Sequence, residues 1–443
     1  METANNGLQH RIREFVLDSL QLPPPAATPR RVRSPHQLPN KATAVIGMRR
    51  AGKTTFLHQV RAERVAAGGS LRQLPFWNFE DQRLSGLTAA ELPRLLAEFH
   101  RQQPAEGQVG RGILCLDEIQ LVPGWERFVR RLLDTEPIDV FVSGSSAALL
   151  SREVATSMRG RGWEVVIHPF GFVEALAHAG VDVPDPEALG ARKRAAMEHA
   201  LLRWLGTGGF PEAQRLEAAT RFRLLHDYVD VVMLRDVLER HQATTIAPLR
   251  WLVRHLLGNA GSRFSVQKFF DTLKSQGLRV GKDSLHDLLD HLVDCFLVRT
   301  VWLETDSEQR RRVNPRKVYP VDQGLIPVFD RSGKANLGHA LETAVMIELE
   351  RRGAQVTYVL TKDGHEVDFL ARVPGGKTEL IQVTADARDP TTAAREFRAL
   401  LAAKAEIGVK SARLIALTSD SLPERVPRGV RATGAAEWFL GAE

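Results

Sequence analysis

The octapeptide Gly47-Met48-Arg49-Arg50-Ala51-Gly52-Lys53-Thr54 constrains this chain more than any other stretch of it. It satisfies the spacing G-x-x-x-x-G-K-[ST]. An apolar strand pattern, Ala42–Gly47, precedes it, and a helical pattern, Thr54–Ala66, follows. Two glycines let the backbone curl until its N–H groups converge on one anion, and a helix beginning at the curl adds the positive end of its dipole. Lys53 places a compact charge near β- and γ-phosphates, and Thr54 offers a hydroxyl to Mg²⁺. Gly47, Arg50, Ala51, Gly52, Lys53, Thr54 and Thr55 are therefore candidate nucleotide-binding residues. A chance match in a glycine-rich turn would lack the flanking strand and helix.

A second element supports the first. Ile113-Leu114-Cys115-Leu116 is an apolar strand that ends in Asp117-Glu118. In a parallel sheet, ligands sit at the C-terminal strand ends, beside such a loop. Asp117 can hold Mg²⁺ directly or through water, and Glu118 can polarise an attacking water. The next strand, Val140-Phe141-Val142-Ser143, runs into Gly144-Ser145-Ser146. Ser143 and Ser145 are both candidates to stand between the loop and Glu118; the plain alternative is a serine helix cap. Further on, Met158-Arg159-Gly160-Arg161-Gly162 closes a helix. Arg159 or Arg161 can neutralise charge on a neighbouring subunit's nucleotide in a ring; the plain alternative is a basic helix C-terminus.

Composition excludes several classes. The chain has 443 residues, room for about three domains. Two cysteines, Cys115 and Cys295, cannot build a disulfide framework or a cysteine-based zinc module, which fits a reducing cytoplasm. No basic segment followed by an apolar one opens the chain, and no apolar run reaches the roughly 18 residues of a membrane span. Sixty basic against 53 acidic residues give a net charge of +7, which permits a polyanionic partner without requiring one. From Lys41 to His168 strands alternate with helices, which predicts an α/β unit with a parallel sheet. The pattern then turns helical to His241, passes a compact helical set ending in two strands, and closes in a smaller α/β unit after Gly338.

Together the loop Gly47–Thr54, Leu-Asp-Glu-Ile-Gln at 116–120, and Gly-Ser-Ser followed by Ser-Met-Arg-Gly-Arg resemble prokaryotic AAA+ ATPases, AAA_14-like, of the group carrying a C-terminal DUF4143 domain. Asn78-Phe79-Glu80-Asp81, Gly209-Phe210-Pro211, Tyr228, Leu234-Arg235-Asp236, Lys317-Val318-Tyr319 and Asp322 extend the resemblance over about residues 30–390. It implies an N-terminal arm (1–38), an AAA+ core (39–172), a helical lid (173–245), a winged helix (246–330) and a nuclease-like end (331–443). It also implies ATP and Mg²⁺ as cofactors, a homo-oligomer as a hexameric ring, and Arg235 as the lid's nucleotide sensor.

The winged-helix expectation rests on two helices, one opening at Ser265 and one at Lys282, then strands 297–303 and 316–320 around an Arg-rich hairpin tip. Lys282, Arg310, Arg311, Arg312 and Lys317 are the expected DNA phosphate contacts. Asp283, Asp287, Asp290 and Asp294 on the second helix would repel phosphates, so base reading by that helix is not expected. The last unit resembles the restriction-endonuclease-like fold. Glu342 and Asp368 match its metal-binding carboxylates, but Gln382-x-Thr384 stands where an acidic residue and a lysine belong. A retained fold with weakened cleavage follows. The expected function is a DNA-acting motor or remodeller on duplex or branched DNA, four-way Holliday junctions included. A nucleotide-switched regulatory or defence protein and an ATP-controlled nuclease are the alternatives.

Overall fold

The computed structural model describes residues 2–32, 38, 40–103, 111–144, 160–186, 189–239, 246–330 and 336–441. They form two compact units, Met1–Ile167 and His168–Glu443. Among the described residues no helix is long and apolar enough to cross a membrane.

In the first unit, α1 (Glu2–Gln21) precedes β1 (Ala42–Ile46), α2 (Lys53–Ala66), β2 (Phe76–Asn78), α3 (Leu92–Arg101), β3 (Gly112–Asp117), α4 (Trp125–Thr135), β4 (Ile138–Ser143) and β5 (Gly162–Val166). The five strands form a parallel sheet in the order β2-β3-β4-β1-β5. Interior β1 is buried at all five positions, as a parallel strand covered on both faces must be. This order puts β4 between β1 and β3. The ends of all three strands, and so Ser143 and Asp117, therefore share one edge with the loop after β1.

The segment 1–38, expected as an arm, begins as a docked helix. Ile12, Phe15, Val16 and Leu20 of α1 are buried, and Arg83 stacks 5.3 Å from the Phe15 ring centre. The chain after α1 is tied to α2 by a fully buried arginine. Arg61 donates from Nε to Leu74 O (2.7 Å) and from a terminal nitrogen to Leu22 O (2.8 Å). Its other terminal nitrogen lies 3.0 Å from His58 Nδ1. Burial, with the Arg61 charge beside it, pulls the His58 imidazole down to about 4. The folded chain therefore holds His58 neutral where the unfolded chain protonates it. The resulting stability is complete above the ordinary histidine value, about 6.5, and is lost as pH falls towards 4. Urea denaturation of the first unit at pH 7.5 and pH 5 should show this loss, and His58→Gln should remove part of the difference.

The second unit begins with α5 (Phe172–His178), α6 (Ala191–Thr207) and α7 (Ala218–Val231), which continues as a π-helical segment, Val232–Glu239. Next come α8 (Ile246–Gly258), β6 (Arg263–Phe264), α9 (Val266–Ser275), α10 (Lys282–Asp294), β7 (Val298–Leu303), α11 (Glu308–Val313), β8 (Arg316–Pro320) and α12 (Ile326–Phe329). The unit closes with α13 (Leu337–Arg351), β9 (Gln355–Leu360), β10 (Glu366–Arg372), β11 (Thr378–Thr384), α14 (Pro390–Ile407), β12 (Ser411–Ala416), β13 (Arg431–Gly434) and α15 (Ala435–Leu440).

Its eight strands form one sheet, β13-β12-β11-β10-β9-β7-β8-β6. The β7/β8 hairpin is antiparallel and joins the rest through β7, which runs parallel to β9 with Trp302 opposite Thr357 and Leu303 opposite Tyr358. Segments 246–330 and 331–443 thus share a sheet. The helical segment 173–245 shares their core: the Phe172, Trp204 and Phe439 rings lie 5.5–6.1 Å apart. The structure therefore groups three of the five expected segments into one unit. The physical reason is that α6 buries Met197, Leu201, Trp204 and Leu205 in the cluster that also holds α13 and α15 residues.

Two distant sequence features meet here. Asp322 is buried and accepts from Gly209 N (2.6 Å) and Gly324 N (2.9 Å). Gly208 has φ +82°, and a Cβ on it would stand 2.0 Å from Asp322 Oδ1, so no larger residue fits. The expected Arg-rich hairpin tip is helical rather than a tight turn: Ser307 caps α11 by accepting from Arg310 N at 3.2 Å.

Candidate active site

The loop between β1 and α2 holds three left-handed residues, Gly47 (φ +145°), Arg50 (φ +66°) and Gly52 (φ +101°). A Cβ on Gly47 would meet Ile167 O at 2.2 Å, so the first glycine is required by close packing as well as by dihedral. Lys53, the first residue of α2, is buried and its Nζ donates to Gly47 O (3.0 Å) and Met48 O (3.1 Å). The ammonium thus lies folded over the loop's own carbonyls. Ala51 is buried, Thr55 half-buried, and Arg50 exposed.

The end of β3 meets the loop. Thr54 Oγ1 donates to Asp117 Oδ2 at 2.9 Å, and Ser143 Oγ donates to Asp117 Oδ1. Ser143, fully buried, also accepts from Glu118 N at 3.3 Å. One hydroxyl therefore links the two acidic residues. Burial raises the Asp117 carboxyl above the usual carboxylate range, against the hydrogen bonds from Ser143 and Thr54. Glu118 is half-buried and left-handed (φ +55°), which turns its side chain out of the strand's alternation. Gln120 donates to its carboxylate. A hydroxyl and a carboxylate oxygen 2.9 Å apart are the hard oxygen donors that Mg²⁺ takes, and the curled loop with a helix start suits a polyphosphate. The residues present fit ATP and Mg²⁺.

Two contacts at this site escape a motif search. Arg30 is buried and donates to Ala51 O at 3.1 Å, while its backbone N donates to Gln59 Oε1 at 2.7 Å. Arg30 thus braces the loop from outside. Gln120, two residues beyond Glu118, orients that carboxylate; the only sequence signal was its amide in Leu-Asp-Glu-Ile-Gln. Arg161 ion-pairs with Asp134 at the end of α4, so within this chain it has a structural partner. Arg159 and Ser145 lie outside the described residues. Arg235 lies in the second unit, exposed on the π-helical segment.

The expected DNA contacts are dispersed in character. Lys282 and Arg310 are exposed. Arg311 is held by Glu308 (2.8 Å) and Thr305 O (3.2 Å), and the Arg312 side chain lies outside the described set. Lys317 needs correction. It is buried, with Nζ 2.8 Å from Asp368, 2.9 Å from Glu366 and 3.0 Å from Glu342. Its strand, β8, faces inward here, so the side chain points into the sheet's acidic cluster and away from any phosphate.

That cluster gathers the nuclease-like residues. Tyr319 donates to Glu342 Oε1 (2.8 Å), and Gln382 Oε1 accepts from Asp368 N (3.2 Å). Burial and the neighbouring Asp368 charge push Glu342 up to about 7, against Lys317. Burial alone would lower Lys317, but Tyr319 and the three carboxylates outweigh it and hold the ammonium well above its usual value. Lys317, from β8, is thus the positive charge at the centre of this cluster. Among the described residues no group of three or more His, Cys, Asp or Glu is arranged to hold a metal ion.

Comparison with known proteins agrees with the first unit's geometry. The family model described as AAA domain, AAA_14, matches residues 39–176. The uncharacterized protein MJ1544 of Methanocaldococcus jannaschii is 32% identical over 391 residues, 87% of this chain and 84% of that protein. The chain belongs to the family of MJ1544. Another relative, an uncharacterized protein of Haemophilus influenzae, is 28% identical over 330 residues, 74% of this chain and 78% of its own. The MJ1544 relationship spans both units, whereas the AAA match stops at residue 176. The model matching residues 198–334 is a domain of unknown function, DUF8612, where DUF4143 was expected. The Walker-type ATPase PABY2304 of Pyrococcus abyssi aligns with TM-score 0.40 at 15% identity, over 72% of this chain and 94% of that one. The AAA match and the P-loop geometry make the first unit a nucleotide-binding ATPase domain.

Proposed function

We propose that this chain is a Mg²⁺-dependent AAA+ ATPase that assembles as a homo-oligomeric ring and acts on duplex or branched DNA. The observation that carries the ATPase part is the Thr54–Asp117–Ser143–Glu118 chain of hydrogen bonds beside the glycine loop. Thr54 and Asp117 would hold Mg²⁺, which when bound supplies charge neutralisation to the transferring phosphoryl group. Lys53 exchanges two carbonyl partners for phosphate oxygens. Ser143 holds Asp117 and the Glu118 backbone at fixed spacing, and Glu118 takes the proton of the attacking water. The DNA part is supported by the +7 charge and its concentration in arginine-rich runs. Ring closure through Arg159 belongs to the same reading.

The acidic cluster in the second unit supports a reading without cleavage. Lys317 stands among Glu342, Glu366 and Asp368 as a counter-ion and ties β8 to β10 and α13. The C-terminal unit is then a nuclease-like scaffold that does not cleave; plasmid nicking that disappears in Asp368→Ala would contradict this.

Trapping tests the proposal. The Glu118→Gln chain with ATP and Mg²⁺ should gain mass in solution, as a ring does, and should bind duplex DNA with steep salt dependence. A monomer indifferent to ATP and DNA would overturn it.

A further inference from the structure

We propose that the outward face of α4 is a docking surface for the phosphate backbone of nucleic acid. The inference rests on the DNA-acting reading above and names the surface that reading requires. Arg127, Arg130 and Arg131 stand at i, i+3 and i+4 on α4, which places them in one stripe. The opposite face, with Trp125, Phe128, Val129, Leu132 and Leu133, is buried in the first unit. Arg161 joins the stripe, and these four arginines with Asp134 and Thr135 line a groove of about 540 Å³.

Three features separate this groove from an ordinary solvated helix face. First, the charge is uncompensated. Among the described residues four guanidiniums face one carboxylate, Asp134, and Arg161 already takes it. Among the described residues Arg127, Arg130 and Arg131 have no ion-pair partner. Secondly, none of the three lies in the last helical turn, so the helix dipole does not account for them. Thirdly, Arg130 Nε is shielded from solvent with no acceptor among the described residues, a donor that a phosphate oxygen would satisfy. Guanidinium forks at helical spacing, with no aromatic or aliphatic residue among the described lining, match a chain of phosphates better than a base or a small apolar ligand.

The position also explains how such docking reaches the ATPase site. α4 starts at Trp125, shortly after Glu118, and Ile119 and Val122 of the connection are buried while Leu121, Pro123 and Gly124 are exposed. α4 is thereby joined, through a short connection, to the segment that carries Glu118. The β7/β8 hairpin, by contrast, leaves Arg310 exposed but offers no such stripe: Lys317 is buried, Arg311 is paired, and Arg316 is shared between Asp290 (3.4 Å) and the Trp302 ring (4.1 Å).

The test compares the 443-residue chain with its charge reversal Arg127→Glu/Arg130→Glu/Arg131→Glu, using a labelled duplex and fluorescence anisotropy at several salt concentrations. Each phosphate contact contributes about 0.9 to the slope of log affinity against log salt. The reversal should lower that slope by about 2–3, weaken binding at least tenfold, and abolish any DNA stimulation of ATP turnover. Turnover without DNA and the melting temperature should stay unchanged. The milder Arg127→Gln/Arg130→Gln/Arg131→Gln chain should move the same way and guards against misfolding. If the parent chain binds no duplex, the DNA-acting reading fails and takes this inference with it. If the parent binds with steep salt dependence and both variants keep its slope, this inference alone fails. Polyglutamate binding the parent as tightly as duplex would overturn it in favour of an acidic protein partner.

Discussion

Replacing Glu118 with glutamine should slow ATP hydrolysis by about 10²–10⁴-fold while leaving ATP bound. The expectation follows from how the residue is held. Its backbone N–H is fixed by Ser143, its left-handed backbone aims the side chain away from the sheet, and Gln120 restrains the carboxylate. Glutamine keeps the size and the hydrogen bonds but cannot take a proton from water. Nothing in Thr54, Asp117 or Lys53 is disturbed, so nucleotide affinity survives. Lys53→Ala should differ in kind, because it removes the charge that meets the phosphates and so should lose binding as well as turnover. Equilibrium binding of a labelled ATP analogue beside steady-state turnover separates the two. Equal turnover in the Glu118→Gln and parent chains would remove Glu118 from the chemistry.

The largest expected effect on stability lies in the second unit. Lys317→Met should destabilise it by about 3–5 kcal/mol, the usual cost of removing one member of a buried ion-pair network. The Lys317 side chain is 4% exposed and its three carboxylate partners are mostly buried. Without the ammonium, Glu342, Glu366 and Asp368 repel one another in a poorly solvated space, and Gly261 already packs against Glu342, where a Cβ would stand 3.1 Å from both its oxygens. Adding Glu342→Gln to Lys317→Met should recover part of the loss, since one charge and its repulsion go together. Urea denaturation followed by tryptophan fluorescence reads both. A Lys317→Met chain as stable as the parent would mean that the carboxylates carry fewer charges than this arrangement requires.

The parallel sheet and its phosphate loop were legible because each rests on local pattern. Apolar strands of five or six residues, helices of about a dozen, and a spaced glycine pair declare themselves within short windows. Asp117 and Glu118 were readable for the same reason, as they end an apolar strand. What could not be read depends on contacts far apart in sequence. Arg30 reaches Ala51, Lys317 reaches Asp368 across 51 positions, and Asp322 reaches Gly209 across 113. A lysine in an Arg-rich neighbourhood looks like a surface cation until strand pairing shows which way it points. β8 alternates inward at Lys317 and Tyr319, and that register came from pairing with β7 and β6. The shared sheet was hidden likewise, because β7 meets β9 over only two residue pairs.

ATP turnover by the 443-residue chain with Mg²⁺, titrated with duplex and four-way-junction DNA at low and moderate salt, decides whether hydrolysis and DNA binding are coupled in this protein. Coupling requires basal hydrolysis that rises with DNA, with a stimulation that weakens steeply as salt increases. A basal rate that no DNA alters at any salt concentration would contradict it.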